Sequence, residues 1–530
     1  MKLMDERFLR RLKMEFHRSM RKLLKDICRD LERNYAEAAK AFRLPIEWYL
    51  QIAGALTLEE FGDQKVVGWI EALNDLLYFI DIANQVHRER FRREIAEQLR
   101  AEFNEQFYEH GYADEIFPQD RPEPGRLLSR LTALCRRLSR EATQESICLA
   151  PSLACQWVAA RRPGQTWMVS CDFSPNLERV ERPGVCVVGT CSLSYEAPRP
   201  VRQALARAGG QGTFKIKASG IDLLVNKQSY AMVEYGGVTR WHWRRIDPPL
   251  LETGRGALSI GPTLIYGRQK SVLTVRSTKP EVVTRMQCAL SVIESAWPEG
   301  FRLLTLLTSR IIPLKAPGVV SFSYRHRPGL SMINCFDRDR LDLIDDLIHE
   351  NSHHHLNLLL RKDRLYQNDH NQEIFYSPWR RRVRPLRGIL HATFTFTMGA
   401  MLFERLSAWA ETRRGRTQWR EAGLTSNDLL RARFRCFEEI SSVRYSLEDL
   451  AYAGRGLKWL TAMGQRIVDE LATSLRGVER RMRKHQDLVD RSSFSPALRR
   501  HRAELVRARE TYGLVDAGPL LSSRRVTMIR

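Results

Sequence analysis

The sequence predicts a predominantly helical α+β protein in which a small sheet leads into a helix carrying the motif His-Glu-Asn-Ser-His. Apolar residues recur at helical spacing through both ends of the 530-residue chain. Short apolar runs separated by glycine and proline fill its middle, and the motif lies inside a long apolar-periodic run. A chain of this length should hold about two to four domains. We predict boundaries that give four regions: 1–148, 149–282, 283–412 and 413–530.

The first region, 1–148, is predicted to be helical. Phe8, Leu12, Phe16 and Met20 lie four apart and form an apolar stripe. The opposite face is rich in arginine and lysine, which would suit a membrane-surface or nucleic-acid helix. An amphipathic helix packed on its own domain is the interpretation that we prefer. The same periodicity predicts further helices over residues 46–58, 66–83, 91–108 and 127–142.

The second region, 149–282, is predicted to be β-rich because short apolar runs alternate with turn residues. The sequence Gly209-Gly210-Gln211-Gly212 lacks the preceding strand and the Lys-Ser/Thr pair of a phosphate-binding loop, so we interpret it as a turn. The predicted strands are Trp167–Cys171, Val185–Val188, Thr213–Lys217, Leu223–Val225, Ala231–Tyr235, Leu264–Tyr266 and Val272–Val275.

The third region, 283–412, is predicted to hold the site. It opens with a helix near Glu281 to Trp297, and apolar runs at 301–307, 319–324 and 330–335, which we interpret as strands, follow that helix. Pro328-Gly329 forms the turn before the last strand. These strands lead directly into the motif helix, predicted over Asp339–Leu360.

An arginine-rich segment follows the motif helix. Pro378 and Pro385 exclude a regular helix there, so we predict a loop. A further helix is predicted from Gly388 to about Ala410, and residues 427–530 of the fourth region are predicted to be mostly helical.

The motif predicts a metal site. His349 and His353 lie four apart on a helix, so both imidazoles point to one face. Glu350 lies about 100° further round and can reach the open side of a bound ion. Two acids, Asp345 and Asp346, stand just upstream. This H-E-x-x-H arrangement is typical of zinc held by two histidines with a glutamate base.

A third protein ligand must come from elsewhere. His354 and His355 point away from the face that His349 and His353 share. Glu373 is the conventional choice for a zinc peptidase, whereas His391 opens the next apolar helix; the spacing leaves both open. The candidates are His354, His355, Asp369, His370, Glu373 and His391.

Three arginines, Arg380, Arg384 and Arg387, lie between the motif and His391. Guanidinium groups bind carboxylates in bidentate fashion. Arginines beside a metal site suit a carboxylate co-substrate that chelates the metal, or capture of a peptide carboxyl terminus. The alternative is a solvated basic loop.

The segment from Pro328 to Phe396 resembles the HExxH-type peptide-modification family, whose described members are 2-oxoglutarate-dependent peptide β-hydroxylases of ribosomal natural-product pathways. The chain departs from the family pattern at Ala392 and at Arg381-Arg382-Val383. The resemblance rests on His349-Glu350-x-x-His353, Asn357, Tyr376-Ser-Pro-Trp-Arg380, Arg384-Pro-Leu386 and Gly388-x-x-His391.

The resemblance implies an Fe(II) site made by His349, His353 and His391, although a carboxylate is the usual third ligand in such enzymes. It also implies 2-oxoglutarate as co-substrate, with Arg380 or Arg384 pairing its distal carboxylate. Glu350 would then orient groups or handle a proton. The expected reaction is β-hydroxylation of a ribosomally made precursor peptide.

Two other functions stay open. One is a Zn(II)-dependent H-E-x-x-H peptidase with Glu350 as base. The other is a basic nucleic-acid-binding protein without catalysis, which ranks last because no known nucleic-acid module is present. Zinc content and steep salt dependence, respectively, would favour them.

The composition limits the candidate partners and the expected cellular location. The net charge of +23 would attract an acidic leader of the precursor peptide. Ten cysteines without a C-x-x-C pair fit neither a zinc finger nor a disulfide framework. No run of about 18 apolar residues and no apolar signal segment occur, so we expect no membrane span and a cytoplasmic location.

Overall fold

The computed structural model describes residues 5–88, 92–106, 112–121, 123–172, 185–188, 193–196, 199–234, 240–241, 244–245, 250–252, 257–266, 272–367 and 372–514. The predicted class is confirmed, since helices predominate among the described residues, several small sheets are present and both terminal regions are helical. None of the helices in these ranges is long and apolar enough to cross a bilayer.

The helices of the first two regions are α1 (Glu6–Arg33), α2 (Ala36–Ala41), α3 (Ile46–Ala55), α4 (Gln64–Arg88), α5 (Arg92–Gln106), α6 (Tyr112–Ile116), α7 (Pro124–Leu149), α8 (Pro151–Arg161) and α9 (Arg199–Arg207). Those that follow are α10 (Pro280–Ala296), α11 (Pro298–Leu307), α12 (Arg340–Lys362), α13 (Leu386–Glu411), α14 (Arg413–Glu421), α15 (Ser426–Arg455), α16 (Ala462–Met482), α17 (Gln486–Asp490) and α18 (Ser495–Tyr512).

The strands include every one predicted in the second region. They are β1 (Trp167–Asp172), β2 (Val185–Val188), β3 (Leu193–Glu196), β4 (Gln211–Lys217), β5 (Gly220–Val225), β6 (Gln228–Glu234), β7 (Arg240–Trp241), β8 (Arg244–Arg245), β9 (Leu250–Glu252), β10 (Ala257–Ile260), β11 (Thr263–Tyr266), β12 (Val272–Arg276), β13 (Arg310–Lys315), β14 (Phe322–Ser323), β15 (Leu330–Asn334), β16 (Phe375–Ser377) and β17 (Arg382–Arg384).

A seven-stranded sheet positions the motif helix. Its main path runs β12-β11-β13-β10-β9, and β15 pairs with β13 in parallel and with β14 in antiparallel orientation. All five residues of β15 are buried. The chain leaves β15 at Asn334 and enters α12 six residues later. The small sheet that leads into the motif helix is therefore confirmed.

The amphipathic helix α1 packs against the rest of the protein. Leu12, Phe16 and Met20 of the predicted stripe are buried and Phe8 is half-buried against the core, and α1 lies against α3, α4 and α12. The Lys362 ammonium on α12 pairs with Glu15 at 2.8 Å. The preferred interpretation of this stripe as a packed helix is confirmed.

One predicted strand is wrong. Residues 301–307 belong to α11, whose first residue is Pro298 and whose Glu299 stands in the first turn. Proline at the first helical position needs no amide hydrogen, and an acid there complements the helix dipole. One face of this short helix meets solvent, since Pro298 and Glu299 are exposed and Arg302 and Thr305 are half-buried, and the buried residues recur at helical spacing.

Strand β13 was not predicted, because Pro313 interrupts its apolar run. In the sheet, β10 pairs with β13 at Arg310 and Ile311, and β11 pairs with it at Leu314 and Lys315. Pro313 lies where one neighbour gives way to the other, so its missing amide hydrogen is tolerated there. The predicted strand over 319–324 is reduced to the two residues of β14.

Two other segments differ from prediction. Helices α8 and α9 lie within the region predicted to be β-rich. The predicted arginine-rich loop is partly ordered as the antiparallel hairpin β16–β17.

The glycine turn is confirmed, since Gly209 and Gly210 have positive φ and β4 begins at Gln211. The four domain boundaries stay predictions.

One connected apolar cluster of the described residues extends from Leu9 of α1 to Leu498 of α18. Helices α10, α11 and α13 surround α12, and α13 packs in turn along α15. The motif helix is therefore central, and the region after residue 412 forms one wall around it.

Candidate metal centre

Helix α12 begins at a capping box. The Asp339 carboxylate accepts a hydrogen bond from the Asp342 amide at 3.0 Å, and the Asp342 carboxylate accepts one from the Asp339 amide at 3.4 Å. These bonds satisfy amide groups that a helix start otherwise leaves without partners. The box fixes where the helix begins and therefore which face His349 occupies.

His349, Glu350 and His353 form a cluster suited to a metal ion. Their ligand atoms all lie within 4.8 Å of one another. Among the described residues, these three form the one such cluster of potential metal ligands. The two imidazole centroids are 5.0 Å apart. Both histidines are half-buried, whereas Glu350 is buried and its Oε2 has no hydrogen-bond partner among the described residues.

Helix α13 brings His391 beside this cluster. The centroids of the His353 and His391 rings are 6.1 Å apart, and the ring planes differ by 29°. His391 is half-buried. It stands outside the group whose ligand atoms lie within 4.8 Å, but it is the next imidazole along the same surface.

The other candidate ligands are placed elsewhere. Glu373 is exposed and does not join the cluster. The His354 ring nitrogens lie 3.3 Å from the Gly329 amide and 3.1 Å from the Ser331 hydroxyl, which ties α12 to β15. His355 packs edge-on against Phe394 at 5.1 Å between centroids. Asp369 and His370 lie outside the described residues.

The three arginines occupy different environments. Arg380 is exposed at the tip of the β16–β17 hairpin. Arg384 is half-buried and lies close to Gly388, where an added Cβ would come within 2.9 Å of the Arg384 Cζ. Arg387 is half-buried in the first turn of α13. The positive charge of Arg380 acts on both His349 and His353.

Electrostatics keep the two motif imidazoles neutral. Burial lowers the pKa of His349 and lowers the pKa of His353 well below its usual range. The positive charge of Arg380 lowers both pKa values further, while Asp345 opposes the shift at His349. Neutral imidazole is the form that binds a metal, so the pair is ready to bind at pH 7.

The Glu350 carboxyl is also perturbed. Burial raises its pKa to about 8, Asp346 acts in the same direction, and the Ser323 hydroxyl opposes the shift. A buried carboxyl without countercharge favours its neutral form. The Glu350 carboxyl that favours its neutral form therefore lies close to the two motif histidines.

An aromatic wall closes one side of the cluster. The Phe396 ring lies 4.9 Å from the His349 ring, and Trp379 stacks on Phe396 at 4.3 Å with planes 5° apart. The Trp379 Nε1 donates a hydrogen bond to the Glu439 Oε2 at 2.9 Å. These two rings pack along one side of His349.

Helix α15 supplies the residues that sequence reasoning missed. The Arg435 Nη2 lies 2.7 Å from the Asp345 Oδ2, and Asp345 stands one turn before His349. Glu439 stands one turn after Arg435. Asp345 was visible as an acid upstream of the motif. No local pattern marks Arg435 or Glu439, because their partners lie about ninety and sixty positions away along the chain.

No protein-family model matches this chain, and no curated protein matches it.

Proposed function

We propose that this protein is an Fe(II)- and 2-oxoglutarate-dependent oxygenase that β-hydroxylates a residue of a ribosomally made precursor peptide. The observation that carries the proposal is the placement of His391 beside His353, with the Arg380 cation near enough to act on both motif histidines. A metal site with several imidazole ligands and an arginine nearby suits a chelator that carries a carboxylate.

The residues present fit a divalent transition metal. Imidazoles suit Fe(II) and Zn(II) alike, and the buried Glu350 Oε2 without a partner indicates a polar ligand in the same space. His349, His353 and His391 would hold the ion. With Fe(II) bound, the chemistry supplied is the conversion of 2-oxoglutarate, O₂ and a C–H bond into succinate, CO₂ and a C–OH group.

The residues of the chain bind, orient and exclude water. Arg380 would pair the distal carboxylate of 2-oxoglutarate, and Arg384 is the second candidate for this role. Phe396 and Trp379 would keep bulk water from the side of His349. Glu350 would hold a proton at Oε2 and orient polar groups of the bound molecules.

The net charge of the chain indicates which kind of peptide its surface would attract. A net charge of +23 favours a peptide with an acidic leader through long-range attraction. The β-rich region and the terminal helices offer surface for such a leader.

The test is anaerobic reconstitution with Fe(II) followed by 2-oxoglutarate. Chelation should give the charge-transfer absorption band of an Fe(II)–2-oxo acid pair, and admission of oxygen should give succinate. The Arg380→Ala variant should keep its iron but need at least about tenfold more 2-oxoglutarate, the effect of one lost charged contact. Arg382→Ala, an exposed change in the same hairpin, serves as control.

A zinc peptidase is the second candidate, because the Glu350 carboxyl lies within 4.8 Å of both motif imidazoles. A glutamate in this place can serve as the base that activates metal-bound water. Zinc in gently purified protein, with peptide cleavage and no consumption of 2-oxoglutarate, would replace the oxygenase proposal with this one.

A further inference from the structure

The tip of the β16–β17 hairpin carries Arg380 with little backbone support. Between the paired residues Ser377 and Arg382 the chain turns through four residues, and Arg381 adopts a positive φ of 51°. The Arg381 amide donates to the Ser377 carbonyl at 2.8 Å, and its exposed guanidinium lies 3.3 Å from Glu504. An exposed ion pair of this kind stabilises little.

The firm anchor of the tip is the residue before Arg380. Trp379 stacks on Phe396 of α13, and its Nε1 donates to the Glu439 Oε2 at 2.9 Å. Glu439 is buried at 4% exposure. A buried hydrogen bond of an indole is costly to lose, because the unpaired groups stay shielded from water.

Helix α15 connects this anchor to the motif helix. Arg435 binds Asp345 of α12 at 2.7 Å, and Glu439 binds Trp379 of the hairpin one helical turn later. Both contacts extend from adjacent turns of one rigid helix. The helix therefore sets the distance between the hairpin tip and the histidines of α12.

We infer that Glu439 is a positioning residue for Arg380: by accepting the Trp379 hydrogen bond, it holds the Arg380 guanidinium at the mouth of the histidine cluster, where it pairs the carboxylate of 2-oxoglutarate. The inference rests on the proposed function for the identity of the carboxylate. It assigns a role in co-substrate affinity to a residue of the C-terminal helical region that touches neither the metal ligands nor the co-substrate.

The test compares three variants for anaerobic 2-oxoglutarate binding to the Fe(II)-loaded full chain, followed by the charge-transfer band. Glu439→Leu should weaken binding about tenfold or more, the effect of one buried hydrogen bond. Trp379→Phe, which keeps a stacking ring but removes the donor, should match it. Glu439→Gln should bind as the unchanged protein does, because its amide oxygen still accepts. Fe(II) affinity should be unchanged in all three.

The coupling is tested by the double variant. Glu439→Leu should add no further loss in the Trp379→Phe background, since both changes remove the same bond. Independent, additive losses would overturn the inference, as would a Glu439→Gln protein as weak as Glu439→Leu.

Hydrogen exchange of residues 375–384 gives a readout that needs neither iron nor 2-oxoglutarate. Exchange should quicken in Glu439→Leu and in Trp379→Phe. Glu404→Leu is the matched control: Glu404 is equally buried, pairs with Arg481 at 2.9 Å, and stands 13 residues beyond His391, about 20 Å along α13. It should leave both hairpin exchange and co-substrate affinity unchanged.

The outcomes separate the two proposals. If the unchanged protein gives no charge-transfer band with 2-oxoglutarate, the proposed function fails whatever Glu439 does. If it binds 2-oxoglutarate and a folded Glu439→Leu protein binds it equally well, or loses affinity only as much as Glu404→Leu, the role of Glu439 is wrong and the proposed function stands.

Discussion

At the scale of single residues, the metal centre depends on which side chain joins His349 and His353. The structure places the His391 ring beside His353 and leaves Glu373 exposed on the chain that leads to the hairpin. In the proposed site, a third imidazole rather than a carboxylate would make the ligand set more neutral. Charge balance would then be left to the bound co-substrate, which suits an anionic chelator.

His391→Ala should lower Fe(II) affinity by at least about tenfold, because loss of a ligand should cost no less than the 10- to 100-fold loss typical of outer-shell changes. Glu373→Ala is the matched comparison and should bind iron as before. Equilibrium dialysis of iron against both variants measures this. Weakened binding in Glu373→Ala with none in His391→Ala would identify the carboxylate as the third ligand.

At the scale of elements, the presentation of the cluster depends on the start of α12. The capping box at Asp339 and Asp342 fixes the first turn, and His354 ties the middle of the helix to β15. The capping box fixes the N-terminal end of α12, and the His354 contacts fix its side against β15. Together they hold the helix that carries His349 and His353 in place.

Asp339→Ala should destabilise the protein by about 1 kcal/mol, the usual cost of a lost N-cap. Asp339→Asn should retain most of the stability, because asparagine caps equally well and only the Arg431 ion pair at 2.6 Å is weakened. Urea unfolding monitored by circular dichroism measures the difference. Equal losses in the two variants would show that the ion pair, rather than the cap, stabilises this end.

Elements also show where local patterns fail. Residues 301–307 are predicted to form a strand, yet they belong to α11. Arg302 and Thr305, both half-buried, interrupt the apolar run three positions apart, as one face of a helix does. Seven residues span only about two helical turns, so this local signal is short, and the proline and the acid at the start of α11 are the clearer signs of a helix.

At the scale of the whole molecule, α1 and α12 belong to one core, so events at the N-terminus affect the stability of the entire chain. His17 of α1 is buried at 4% exposure, and its imidazole lies where a side chain at position 62 would stand, which requires Gly62. Burial, together with the charge of Lys13, lowers the pKa of His17 to about 4.

The sign of the pH effect follows from this lowered pKa. Below the ordinary pKa of 6.5, the unfolded chain binds a proton at His17 that the folded chain does not bind until about pH 4. Stability should therefore fall as the pH drops through this window, by about 1–2 kcal/mol from His17 at pH 5.

The His17→Gln protein has no titrating group at this position. Between pH 7 and pH 5 its free energy of unfolding should therefore fall by about 1–2 kcal/mol less than that of the unchanged protein. Urea unfolding of both proteins at the two pH values measures it. The comparison within each protein removes any packing effect of the glutamine. An identical pH-dependent loss in the two proteins would contradict the assignment.

The sequence by itself determined the motif helix and the face that His349 and His353 share. Apolar residues at helical spacing and two histidines four apart are local features, and α12 spans Arg340–Lys362 where residues 339–360 were predicted. The β-rich middle was predictable for the same reason, since strand alternation and turn residues are read within a few positions.

Only the tertiary structure decided what surrounds the face that His349 and His353 share. It turned the arginine loop into a hairpin, placed His391 rather than Glu373 beside the cluster, and brought Arg435 and Glu439 of α15 into contact with α12 and Trp379. These contacts join residues that lie tens of positions apart. They depend on how helices pack around a shared core, and the spacing of residues within one element carries no information about that packing.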